Sequence, residues 1–117
     1  MLTNKDYCDY DTSIALSELG FPLKRMKVKN FIDGQFSDSI VTVLLYEAQK
    51  WLREAKDVLI IVCPYTYNVI NKTHTWTYEI WFGDNLEYEI HDFKSYEEAL
   101  SEGIKEAVKI LKDGIGE

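Results

Sequence analysis

A chain of 117 residues, 46% hydrophobic and 28% charged, has the make-up of a soluble globular domain and can bury about 65% of its unfolded surface. Its net charge of −7 excludes the positive field that non-specific binding to nucleic acid or anionic membrane requires. No apolar run approaches the ~18 residues of a membrane span, and the opening M-L-T-N-K-D-Y-C-D-Y lacks the apolar core of a secretion signal.

Residues Met1 to Tyr10 are polar and acidic, which predicts loose order. Asp11 or Thr12 can cap a short helix that docks through Ile14, Leu16, Leu19 and Phe21, with Gly20 at its left-handed end and Pro22 stopping it. From Arg25 to Asn30, basic and apolar residues alternate with a period of two, as in a half-exposed strand. Asp33-Gly34 is a turn signal, so Val28 to Ile32 is expected to pair with Gln35 to Ser37. The cluster Lys24, Arg25, Lys27 and Lys29 fits a solvated edge strand that uses lysine against aggregation. Contact with phosphate or an acidic partner is its functional alternative.

Ser37-Asp38-Ser39 offers caps for the helix on which the chain is organised. Leu44, Leu45, Ala48, Trp51, Leu52 and Ala55 recur at helical spacing, with Glu47, Gln49, Lys50, Arg53 and Glu54 opposite. Val58 to Cys63 is then a continuous, β-branched apolar run, which predicts a central strand covered on both faces or nearly so. Pro64 to Thr73 forms a connection carrying Tyr65 and Tyr67, or extends that strand as a long hairpin.

His74 to Phe82 alternates clearly. Trp76, Tyr78, Ile80 and Phe82 share one face, and Thr75, Thr77, Glu79 and Trp81 the other. Gly83-Asp84-Asn85 predicts a tight turn into a partner strand, Leu86 to His91. The capping box Ser95-Tyr96-Glu97-Glu98 opens a last helix with the stripe Ala99, Leu100, Gly103, Ile104, Ala107, Val108 and Leu111, ended by Gly114 and Gly116. The expected fold class is α+β: a three-stranded antiparallel sheet in the order α-β-β-β-α, with two long helices on one face. An N-terminal accessory helix and a short basic strand complete one domain, with residues 1–38 as the accessory region and 39–117 as the core.

Signals for chemistry are sparse. Cys8 and Cys63 are too few for a disulfide framework and lack metal-ligand spacing, which fits a reducing cytoplasm. Cys63 reads as a small buried hydrophobe, while the polar surroundings of Cys8 leave its exposure open. A hairpin centred on Asp84-Asn85 places His91 opposite Tyr78 and away from His74, so the two histidines do not form a pair. We therefore assign no catalytic, cofactor-binding or metal residue. Eight Tyr and three Trp exceed what a small core uses, so some rings belong at an interface. The candidate interaction surface is Tyr65, Tyr67, Glu79 and Trp81, facing an unidentified protein partner or a second copy. Whether the N-terminal helix or the basic strand covers Trp81 is open at this stage. Three other roles stay in view: nucleic-acid binding through Lys24, Arg25, Lys27 and Lys29, a nucleic-acid mimic that occupies a basic partner, and a small ligand-binding module or enzyme with a pocket between sheet and N-terminal helix.

The α-β-β-β-α order resembles that of a double-stranded-RNA-binding domain, which implies basic residues at the start of the final helix; here Glu97 and Glu98 stand there. A closer resemblance is carried by S-I-A-L-S-E-L-G-F (Ser13–Phe21), Y-E-A-Q-K-W-L-R-E (Tyr46–Glu54) and S-Y-E-E-A-L-S-E-G-I (Ser95–Ile104). In this order they resemble a family of small uncharacterised proteins of gut Bacteroidetes and their phages or prophages. Ile40-Val41-Thr42-Val43 departs from that family's proline-initiated helix start. The resemblance implies provenance and fold, and brings no catalytic residue.

Overall fold

In the computed structural model, which describes residues 6–22, 27–33 and 36–115 (backbone alone for 27–33, 36–42, 87–91 and 115), eight elements follow in order. They are α1 (Tyr10–Glu18), β1 (Lys27–Asp33), β2 (Phe36–Thr42), α2 (Leu45–Lys56), β3 (Val58–Asn68), β4 (Thr73–Phe82), β5 (Asn85–Phe93) and α3 (Tyr96–Ile115). Strands β3, β4 and β5 form an antiparallel sheet in that spatial order, and β1 pairs with β2 as a separate hairpin. The expected α+β architecture is present, with α2 and α3 on one face of the three-stranded sheet.

Period-2 and period-3.6 patterning explain most of this. Val58 and Ile60 of β3 and Tyr78 and Ile80 of β4 turn one face inward, against Leu45, Ala48, Trp51 and Leu52 of α2 and Leu100, Ile104, Ala107 and Val108 of α3. Gly103 sets the spacing of the two layers. A Cβ at this position would lie 3.0 Å from Ile60 Cγ2 and 3.2 Å from the Tyr78 ring, so the α3 backbone rests directly on the sheet. Ser95 Oγ accepts from the Glu98 amide at 3.0 Å, as its capping box predicts.

The N-terminal helix ends as expected. Gly20 has φ +110°, the Phe21 amide donates to the Leu16 carbonyl and the Gly20 amide to that of Ser17, the paired bonds of a Schellman motif. Phe21 then meets the Trp51 ring edge-on at 5.5 Å. Its docking face is rotated from the expected one. Ile14 is exposed, whereas Ser13 is buried and its Oγ accepts from the Val43 amide, so a hydroxyl that satisfies a strand end displaces the larger apolar residue. The cap is Asp9 and not Asp11 or Thr12. Tyr7 bridges to Leu44 and the Cys8 amide donates to the Val43 carbonyl, so this part of the N-terminal segment is fastened, contrary to the expected loose order.

Several boundaries differ for physical reasons. Ser37-Asp38-Ser39 does not cap α2. These residues and Ile40–Thr42 form β2, paired from Lys27↔Thr42 to Asp33↔Phe36, because β-branched Ile-Val-Thr favours a strand over a helix start. Helix α2 begins after Leu44 without a side-chain cap, and Ala55 lies exposed. It stops at Asp57, a non-glycine residue in the left-handed region (φ 57°) whose amide donates to the Leu52 carbonyl. Strand β3 lies at an edge of the sheet, with β4 in the centre. The last turn pairs Phe82 with Asn85, so it is Gly83-Asp84, one residue earlier than expected. Helix α3 continues through Gly114, where a helical glycine meets nothing, and reaches Ile115. Leu23 to Met26 and Gly34-Gln35, which hold part of the expected basic strand and its turn, lie outside the described residues.

Replacing Gly103 by alanine is expected to lower stability by about 1–3 kcal/mol, despite alanine's better helix propensity, since buried Ile60 and Tyr78 cannot both withdraw. Urea unfolding with an unchanged m-value checks it; an unaltered or raised midpoint would contradict the layer spacing.

Candidate functional site

The second face of the three-stranded sheet is where the surplus apolar residues emerge. Cross-strand register places Leu59 opposite Trp81, Ile61 opposite Glu79, Cys63 opposite Thr77, and Leu86 on the other side of Trp81. Leu59, Ile61 and Leu86 are 39%, 37% and 42% exposed. The indole Nε1 of Trp81 donates to Glu79 Oε1 at 3.0 Å, which holds the ring flat along the strand and leaves it half-buried. Helices α2 and α3 occupy the opposite face, and α1 packs on α3 and β2. The open question over Trp81 is thereby answered for the N-terminal helix, which does not cover it; the side chains of the basic strand lie outside the described residues. The expectation that β3 is covered on both faces is corrected too, since only the Val58–Ile60 side is enclosed.

Of the four residues singled out from the sequence, Glu79 and Trp81 are brought together. Tyr65 and Tyr67 sit further along β3, which runs unbroken to Asn68 instead of ending in a loop. The β3–β4 register slips between Pro64 and Tyr67. Beyond the slip, Thr66 and Thr75 join through their hydroxyls, and the rings of Tyr67 and His74 lie 4.7 Å apart. His74 touches Trp76 at 5.9 Å, and Trp76 meets Tyr96 of α3 edge-on at 5.5 Å. Tyr67 thus belongs to an aromatic row on the helix-bearing face, apart from Trp81. Sequence reasoning overlooked Leu59, Ile61 and Leu86. For Leu59 and Ile61 the signal was in V-L-I-I-V-C, where an apolar residue stands at every position of both faces; Leu86 comes beside Trp81 through a register shift that spacing does not reveal.

Strand β3 is closed along its free edge. Gln49 Nε2 of α2 donates to the Ile60 carbonyl at 2.8 Å, so that carbonyl points off the sheet. Pro64 has the same parity and has no amide to offer there.

The cysteines and histidines do not converge. Cys8 is buried, and burial beside the Asp9 carboxylate pushes its thiol up to about 12, so it is protonated and a poor nucleophile at neutral pH. Cys63 is half-buried on the sheet's outer face, not in the core. Two bulges in β5 leave Ile90 opposite Tyr78 and Phe93 opposite Trp76, so the backbone keeps His91 away from His74. Among the described residues no three His, Cys, Asp or Glu gather as a metal site would require. Nor is any described helix long and apolar enough to cross a membrane.

The opening expected between sheet and N-terminal helix lies instead between α1 and α3. It is a groove of about 420 Å³ with Ala15 and Val108 at its floor. Two of its lysines are paired: Lys105 lies 3.2 Å from Asp9, and Lys112 lies 2.6 Å from Glu18. Partial burial opposes ionisation of Asp9, but the Thr12 side chain and amide and Lys105 outweigh it and hold the carboxyl below its usual value. The Asp9 bond holds Lys105 above its own. No family profile, curated protein or solved structure matches this chain.

Two outcomes are expected. In the folded protein at pH 8, Cys8 resists alkylation that proceeds in denaturant, as peptide mass spectrometry will show; rapid native labelling would contradict its burial. Asp9→Ala costs about 1 kcal/mol at neutral pH, chiefly through the lost cap. Because the folded-state pKa of Asp9 is depressed, the ionic part of that contribution is present above the unfolded value of about 3.9 and is lost as pH falls through the folded value. The gap between the two unfolding midpoints should therefore narrow in acid, and a gap that stays constant would refute the ionic part.

Proposed function

We propose that this chain is a non-enzymatic protein-interaction module that docks a partner on the outer face of its sheet. The observation that carries the reading is the uncovered apolar set Leu59, Ile61 and Leu86 around a Trp81 whose polar atom is already satisfied by Glu79. Exposed aliphatic side chains ringing an oriented tryptophan are the composition of an interface centre. The acidic charge of the chain is unsuited to nucleic acid, and Glu97 and Glu98 at the start of α3 would repel a duplex phosphate. A reducing cytoplasmic setting and a phage or prophage origin accord with two cysteines that are not joined in a disulfide and with the resemblance carried by the three helix motifs.

A small-ligand module is the second reading, favoured by the groove between α1 and α3. Its lysines and carboxylates largely satisfy one another, which leaves less to attract a ligand than the bare apolar face does.

Affinity capture from the host lysate, with wild type and a Leu59→Lys/Ile61→Lys double variant run side by side, tests the reading. The expected result is a partner held by the wild type and lost from the folded variant. Retention of the same proteins by both would exclude the outer face.

A further inference from the structure

Strands β3 and β4 continue past Pro64 and Trp76 as an arm closed by the turn Val69–Lys72. The radius of gyration, 15.4 Å, exceeds the roughly 13 Å of a compact chain this long, in keeping with such a projection. The arm is unusual in charge. The 21 residues Val58–Tyr78 contain no Asp or Glu, although the chain holds 20, and Lys72 is the only Lys or Arg among them. At the turn itself, where polar residues are the rule, Val69 and Ile70 are 75% and 91% exposed. Depletion of charge with aromatic and aliphatic enrichment marks the core of an interface.

We infer that the occupant of the outer face is a second copy of this chain, packed sheet on sheet about a two-fold axis with strands running opposite ways. The inference rests on the proposed use of that face. It follows from how the two ends of one sheet complement each other. One end carries Leu59, Trp81 and Leu86, with Asp57 and Asp84 exposed at the adjoining turns. The other end carries Val69, Ile70 and Lys72. A two-fold axis near the Cys63–Thr77 pair lays each apolar tip over the other copy's Leu59–Trp81–Leu86 end. It also brings each Lys72 toward the other's Asp57 and Asp84. An isologous contact of this kind sets unlike parts of one surface against each other, and the inferred packing sets the apolar tip against the apolar end and Lys72 against Asp57 and Asp84.

Area leaves a part for the turn. Three strands of about ten residues, arm included, ~4.8 Å apart and rising ~3.3 Å per residue, present a face of about 450 Å². A stable interface removes roughly 800 Å² from each partner, so the exposed Val69 and Ile70 of the turn must contribute as well.

Sedimentation velocity over a dilution series up to ~500 µM, far above a micromolar Kd, is the test. The expected result is a monomer–dimer equilibrium in which Ile70→Glu raises the dissociation constant at least about tenfold, as loss of an interface anchor does. Ile70 is almost wholly exposed, so this variant keeps its fold. Lys72→Glu should weaken the dimer as well, and adding Asp84→Lys in the same chain should restore it. A chain that stays monomeric throughout the series overturns the inference while leaving a different partner on the face possible, which the capture experiment decides. A dimer indifferent to Ile70→Glu and to the Leu59→Lys/Ile61→Lys pair uses another surface and overturns the inference as well, the capture experiment again deciding the outer face.

Discussion

The closeness of α3 to the sheet is the constraint on which the rest depends. Gly103 lets the helix backbone rest on Ile60 and Tyr78, and that contact fixes how far apart the layers stand. At this spacing Leu100, Ile104, Ala107 and Val108 reach the same apolar layer as Leu45, Ala48 and Leu52 of α2. Helix α1 can then lie against α3, tied through Lys105 to Asp9 and Lys112 to Glu18. All three helices are thereby gathered on one side, and the second face of the sheet is left without a layer of the chain's own among the described residues.

Much of this was legible in the residues. The stripe of α3, the face of α2 and the alternation of β4 are long and periodic, and periodicity survives tertiary context. What failed was local. Ile40-Val41-Thr42-Val43 sits between a polar capping signal and a helical stripe, and its β-branched character prevailed over both. Ser13 took the place expected of Ile14 because a buried backbone amide needs an acceptor, a demand no hydrophobicity pattern registers. The apolar run of β3 was read as a strand enclosed on two sides. Period-2 reasoning identifies two apolar faces but cannot say that anything covers the second.

For the same reason the candidate site was only half legible. Trp81 and Glu79 were identified from alternation, yet their aliphatic neighbours were hidden within a run that resembled core. Tyr65 and Tyr67 were read as outward aromatics of a connection, and the slip in register after Pro64 places Tyr67 in an aromatic row with His74 and Trp76. A one-residue irregularity exchanges the two faces of a strand, so grouping by spacing cannot cross it. The resulting surface has little to offer a reaction. It has an oriented indole, aliphatic side chains and no convergent acid, base or nucleophile among the described residues.

The bond from Gln49 to the Ile60 carbonyl and the proline four residues on were noted as features of one strand edge. They also bear on what kind of assembly this molecule can enter. A bare strand edge recruits further strands without limit, each addition recreating the edge it consumed, which is how ribbons and fibrils grow. With a side-chain amide and a missing N–H breaking the hydrogen-bonding row, β3 is a poor template for such growth. A sheet whose sticky part is its broad side, and whose rim is blunted here, is suited to contacts that finish once made. The chain can thus expose apolar side chains on one face of β3 while blunting that strand's own edge against open-ended growth.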